Sequence, residues 1–205
     1  VGVADHIPRM EQAGHPPAGW VKDMVQAGFE TFYRYQDERV TGVYHPEKEA
    51  YQDIEPDPQN LRLKVIKSDP ERVLQRNTSA TLIDLGDGVG CVEFHTKMNA
   101  LDEDSIQMIS NALDLAEKGD LCGLVIGSDA ENFSAGANLF GVVMAAQNGL
   151  WDQLEAIVRK LQDVNMRMRY FPKPVVVAPA GLTLGGGAEI TMHGSRVVAA
   201  AETYA

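Results

Sequence analysis

From Asn77 onward the apolar residues alternate between short solid runs and longer periodic stripes. Ala80–Leu85 and Val89–Phe94 are runs joined by Gly86-Asp87-Gly88, and they read as a strand hairpin. Ile106, Ile109, Leu113 and the Leu115/Ala116 pair form one stripe, which predicts a helix from an Asp102 N-cap to Lys118, stopped by Gly119. Leu121–Ile126 predicts a buried strand. Trp151–Tyr170 predicts a long amphipathic helix, ended by Pro172 and Pro174. Val175–Ala178 reads as another buried strand, Ala188–His193 as a short helix opened by Gly185–Gly187, and Val197–Ala200 as a last strand. This alternation predicts an α/β domain over residues 77–205 with a largely parallel sheet.

Residues 1–60 follow a different pattern. Asp5–Ala13 and Trp20–Ala27 read as short helices separated by Gly14-His15-Pro16-Pro17-Ala18-Gly19. Thr31–Tyr35 and Val40–Tyr44 read as a small hairpin around Gln36–Arg39. Glu55-Pro56-Asp57-Pro58 favours an extended linker. These elements are too few to bury a core of their own, so this mixed helix and hairpin segment is expected to be an appendage.

Composition narrows the function classes. A 44% hydrophobic and 23% charged chain of 205 residues folds rather than remaining disordered. A net charge of −11 without a basic stripe argues against a nucleic-acid surface. No apolar run approaches the ~20 residues of a membrane span, and Val1–Met10 lacks a secretory apolar core. Cys91 and Cys122 have no CxxC partner, and no two histidines are spaced as H-x-x-x-H. A disulfide framework and a metal site are therefore not expected, and a reducing cytoplasm is.

Two glycine-rich turns carry the candidate chemistry. Gly86-Asp87-Gly88-Val89-Gly90 imitates half of a dinucleotide fingerprint, but strand-like Cys91–Phe94 follows where a helix is required. Phe133-Ser134-Ala135-Gly136-Ala137-Asn138-Leu139 follows a predicted buried strand and has only small residues at its centre, so a ligand can approach its backbone. Gly185-Gly186-Gly187-Ala188-Glu189 also follows a buried strand, and it opens a helix whose N-terminus favours negative charge. One amide from each turn would suit an oxyanion hole, with Glu189 as an acid or base beside it. A serine-hydrolase reading of Ser134, His193 and Ser195 lacks the G-x-S-x-G elbow.

These two segments resemble the signature segments of the crotonase (enoyl-CoA hydratase) superfamily. Thr96-Lys97-Met98-Asn99-Ala100-Leu101 resembles the family's earlier segment ending in Asn-Ala-Leu. The resemblance covers residues 77–205 and implies a crotonase-like core of ββα repeats, truncated at its C-terminal side. It implies Ala137 and Gly186 as the oxyanion amides, Glu189 as a catalytic carboxylate, and Ala135, Gly136 and Gly185 as their substrate-binding neighbours. Lys97 would lie near the CoA nucleotide. A second catalytic Glu is expected a few residues beyond Ala205. The implied reaction is hydration of 2-enoyl-CoA in β-oxidation with a CoA thioester as substrate and no cofactor. Isomerisation, hydrolysis and simple acyl-CoA or partner binding remain the alternatives. Leu154, Ile157, Leu161 and Met168 read as core contacts or as an acyl tunnel. The first 60 residues resemble the tail of a 3-hydroxyacyl-CoA dehydrogenase region in bacterial dehydrogenase–hydratase fusions, with NAD used only outside this chain. The resemblance further implies a homo-oligomer.

Overall fold

The computed structural model describes residues 2–36, 39–55 and 60–205. It divides into two compact units, Val1–Leu61 and Arg62–Ala205.

The first unit holds helices α1 (Val3–Gln12) and α2 (Gly19–Gln26) and strands β1 (Tyr33–Gln36), β2 (Arg39–His45) and β3 (Ala50–Asp53). The strands form an antiparallel sheet in that order. The expected hairpin is present, with a third strand the sequence reading did not foresee. The turn between β1 and β2 and the Pro56/Pro58 linker lie outside the described residues. The elements expected to be too few for a core of their own bury a small cluster. Val21, Met24 and Tyr44 are buried. Tyr44 packs against Phe29 at 5.0 Å between ring centres, against Trp20 at 6.3 Å and against Tyr51 at 6.1 Å. Large rings supply buried area that so few residues would not otherwise reach.

In the second unit a short helix α3 (Leu63–Ile66) precedes β4 (Val73–Arg76), β5 (Ala80–Gly86), β6 (Val89–Phe94), helix α4 (Glu103–Lys118) and β7 (Gly123–Gly127). Helices α5 (Leu139–Gln147) and α6 (Trp151–Arg169), strand β8 (Val175–Ala178), helix α7 (Gly186–His193) and strand β9 (Arg196–Val197) follow. The six strands form one sheet in chain order; β4–β5 and β5–β6 are antiparallel, and β6 through β9 are parallel. The sheet is thus mixed, with three of its five pairings parallel. Gly86-Asp87-Gly88 makes the β5–β6 hairpin, as expected. Alternation across the sheet separates two layers. Ala80, Leu82, Val92 and Phe94 pack with Ile106, Ile109, Leu113 and Ala116 of α4 and Val164 and Met168 of α6. Ile83 and Cys91 face the other way, against Leu63.

Two expectations are refined here, and one helix was not expected. Strand β9 ends at Val197, so Val198–Ala200 is not a strand. Helix α5 was not foreseen; it is apolar on every side and buries no residue. Of the four α6 positions read as core contacts or as an acyl tunnel, Met168 is buried, Leu154 and Leu161 are partly buried, and Ile157 is 40% exposed.

Candidate active site

Strands β7 and β8 pair in parallel, Ile126 with Val177 and Gly127 with Ala178. Both therefore release their chains at the same end of the sheet, where parallel sheets place their ligand sites. The chain leaving β7 is fixed by Phe133, whose buried ring meets Phe94 edge-on at 6.1 Å and whose N–H donates to Ala180 C=O at 2.7 Å. Ser134 then bridges to Thr183: Ser134 N–H donates to Leu182 C=O at 3.0 Å, and Leu184 N–H to Ser134 C=O at 2.9 Å. Asn132 Oδ1 accepts the Leu182 N–H at 2.9 Å. On its other side the same segment bridges to Leu101, which donates to Gly136 C=O at 2.8 Å and accepts the Asn138 N–H at 3.0 Å.

That second bridge decides which amide is left over. In a parallel pair a residue bonds to the peptides flanking its partner, so the Leu101 bridge uses the carbonyl before Ala137 and the amide after it. Ala135 N–H donates to Met98 C=O at 3.1 Å, and Gly136 N–H to Ser134 Oγ at 3.1 Å. Across residues 133–138, Ala137 alone has an N–H with no acceptor among the described residues. Gly136, at φ +89°, makes the tight approach possible, since a Cβ there would sit 2.9 Å from Leu184 O.

The second turn frees its amide differently. Gly185 adopts φ 50°, ψ −120°, a turn conformation dominated by glycine. Gly186 opens α7, and the first amides of a helix have no acceptor within it. Gly187 N–H folds back to Leu184 C=O at 2.9 Å and Glu189 N–H to Gly185 C=O at 3.0 Å, while Gly186 N–H has no acceptor among the described residues. A Cβ on Gly186 would lie 4.0 Å from Ala137 N, 3.0 Å from Leu101 Cδ1 and 3.6 Å from Leu161 Cδ2. Two unbonded amides therefore lie side by side, bordered by apolar side chains.

The other sequence-nominated residues fall around this pair. Gly136 is buried, and Ala135 and Gly136 use their amides to build the first turn. Gly185 is exposed and sets the second. Glu189 is an exposed residue in the first turn of α7, and its side chain has no bonded partner among the described residues. Lys97 is exposed, and no bond joins its side chain to either turn. The serine rivals are occupied elsewhere. Ser134 Oγ is buried and donates to Asn99 C=O at 2.8 Å, and Ser195 Oγ both accepts from and donates to the Val175 backbone at 2.9 Å. His193 Nδ1 lies 2.6 Å from Glu189 C=O, and no bond joins its ring to a serine hydroxyl among the described residues. Among the described residues no group of three His, Cys, Asp or Glu side chains is placed to hold a metal, and no helix is long and apolar enough to cross a membrane. Met98, Asn99 and Ser134 stand in the segments singled out from the sequence, but their supporting role, and that of Asn132, is not legible there. Asn99 and Ser134 are buried polar groups in loops, which spacing alone does not reveal.

Known proteins resemble this chain in sequence and in fold. The family model described as Enoyl-CoA hydratase/isomerase matches residues 91–205. A Bacillus subtilis protein named "Probable 3-hydroxyacyl-CoA dehydrogenase" is 37% identical over 204 residues, covering 100% of this chain and 25% of its own length. A Rickettsia felis protein with the name of a fatty acid oxidation complex trifunctional enzyme is 29% identical over 155 residues, covering 76% of this chain and 21% of its own. The crystal structure of an enoyl-CoA hydratase/isomerase from Xanthobacter autotrophicus Py2 superposes with a TM-score of 0.56 at 25% identity, over 63% of this chain and 48% of that one. The chain thus spans about a quarter of these curated relatives and about half of the solved structure. The fold and the family expected from the three signature segments are both found: the chain belongs to the enoyl-CoA hydratase/isomerase family, within the crotonase superfamily.

Proposed function

We propose that residues 77–205 supply the oxyanion half of a hydratase site, and that the protein adds water reversibly across the double bond of a 2-enoyl-CoA. One observation carries this reading: the amides of Ala137 and Gly186 are both unbonded and adjacent, at the end of two neighbouring parallel strands. As the water oxygen bonds to C3, the electron pair of the double bond moves toward the thioester oxygen. Negative charge grows there, and two fixed N–H donors bind it better in the transition state than in the ground state. Leu101 and Leu161 lower the local dielectric and strengthen that attraction.

Glu189 takes the proton released by the attacking water. It sits where a helix start favours negative charge and where solvent reaches it. A second carboxylate, placed by family resemblance shortly after residue 205, delivers the proton to C2. Proton transfer balances the reaction, so no redox cofactor takes part. Lys97 meets the CoA nucleotide. Residues 1–60 end a dehydrogenase region that uses NAD outside this chain, and the protein serves fatty-acid oxidation in the cytoplasm as a homo-oligomer.

The measurement is the loss of conjugated enoyl-thioester absorbance when crotonyl-CoA is added to the full-length protein. Glu189→Gln is expected to lower the rate ~10²–10⁴-fold, the range for a general acid or base. Full activity in that variant would remove Glu189 from the mechanism. Binding without absorbance loss in the wild type would favour an acyl-CoA-binding role, and migration of the double bond would favour an isomerase.

A further inference from the structure

Met98 and Asn99 are consecutive non-glycine residues in the left-handed region, at φ 58° and φ 49°. The other left-handed non-glycine residues among those described, Glu49 and Asp87, sit in the turns between β2 and β3 and between β5 and β6. Met98 and Asn99 close no hairpin. Asparagine tolerates this conformation, but methionine does not adopt it without compensation. Backbone strain that persists is held by its surroundings, and it clusters at functional sites.

The compensation is visible in the bonds. The left-handed pair presents two successive carbonyls to the first glycine turn: Met98 C=O accepts the Ala135 N–H at 3.1 Å, and Asn99 C=O accepts the Ser134 hydroxyl at 2.8 Å. Ser134 Oγ in turn accepts the Gly136 N–H at 3.1 Å. Asn99 itself is 3% exposed, and its Nδ2 donates to Asn132 C=O at 2.9 Å and to Ser128 Oγ at 3.3 Å. The strained pair and Ser134 thus occupy the two amides immediately before Ala137. We infer that Asn99 and Ser134 are positioning residues for the Ala137 donor: they saturate its neighbours and fix the peptide that carries it, without touching substrate.

This inference rests on the oxyanion role proposed above, and the test separates the two. The probe is cinnamoyl-CoA, whose absorbance shifts to the red when hydrogen bonds polarise its carbonyl. The variants are Asn99→Asp, which keeps the size and left-handed tolerance but loses the Nδ2 donor, and Ser134→Ala, which removes the hydroxyl relay. In the full-length protein each is expected to shrink the red shift and to lower kcat about 10- to 100-fold with KM little changed. That falls short of the ~10²–10³ lost when a donor is deleted outright, and it is the pattern of a transition-state interaction loosened rather than of substrate binding lost. Folded variants that keep the wild-type shift and kcat, or that raise KM alone, overturn the inference and leave the proposed function standing. Should Asn99→Asp fail to fold, Ser134→Ala decides, because it leaves the Asn99 side-chain bonds in place. A wild-type protein that shows neither shift nor turnover overturns the oxyanion reading and this inference with it.

Discussion

The two glycine turns arrive at the same result by opposite routes. The first is an extended run in which every neighbouring amide has an acceptor: Ala180, Leu182, Met98 and Leu101 from other segments, and the Ser134 hydroxyl from within the turn, take the N–H groups around Ala137. The second is a helix start, where unbonded amides come with the geometry and need no outside help. An amide left over by subtraction depends on many partners. An amide freed by a helix terminus depends on the helix and on one glycine turn. The first turn should therefore be the more fragile half of the site, and substitutions that disturb its surroundings should act on catalysis more than equivalent changes beside the second.

The harshest way to break the comparison is Gly136→Ala. It forces a Cβ into φ +89° and places it 2.9 Å from the Leu184 carbonyl oxygen, a backbone atom with little room to move. The Ala137 donor is displaced with it. The expected outcome is a rate loss of ~10²–10³, equal to removing one donor, together with lower thermal stability. Steady-state kinetics and a melting curve read the two effects. Activity near wild type would show that the first turn is not the delicate one.

Gly187→Ala approaches the same contact from the second turn. Its Cβ would lie 2.7 Å from Ser134 Cβ and 3.1 Å from Ser134 O, with no left-handed strain of its own. The clash is sterically real, but helix α7 can shift as a body. Overpacking of this kind costs about 1–3 kcal/mol, and we expect a destabilisation in that range with a smaller rate loss than Gly136→Ala. A rate loss larger than that of Gly136→Ala would show that pressure on Ser134 displaces the Ala137 donor more than strain at Gly136 does.

Much of this site was legible before any coordinates, because its signals are local. Glycine triplets and small-residue turns announce close backbone approach, Asp102 and Gly119 mark the ends of α4, and solid apolar runs mark β5 to β8. The illegible parts are those fixed by partners distant in sequence. Asn99 was visible as part of a signature segment, but its bond to Asn132 spans 33 residues and leaves no periodic trace. Helix α5 has apolar residues all round, so no stripe distinguishes it from a loop. Strand β4 alternates over only four residues, too few for a period to be read. The core of the first unit rests on ring contacts among Trp20, Phe29, Tyr44 and Tyr51, which come together only once three strands pair.

The mildest test concerns what lies directly behind each turn. Leu101, the anchor of the first turn, is followed by Asp102, the N-cap of α4. Its Oδ1 accepts the Ser105 N–H at 2.9 Å and the Ser105 hydroxyl at 2.8 Å, and its Oδ2 accepts the Ser79 hydroxyl at 2.6 Å. Burial alone would raise the carboxyl's pKa, but these hydrogen bonds outweigh it and hold the carboxyl below the usual carboxylate value. A group with a lowered folded value contributes stability above its unfolded value and loses it as pH falls through the folded one. Asp102→Ala should therefore cost about 1 kcal/mol at neutral pH, the usual worth of an N-cap. The gap between wild type and variant should narrow as pH drops below the ordinary carboxylate range. The cap of the second turn's helix, Gly185, has no side chain to titrate. Melting temperatures of both proteins from neutral to acid pH decide the point: parallel curves would mean that the Asp102 charge adds nothing to the support of the first turn.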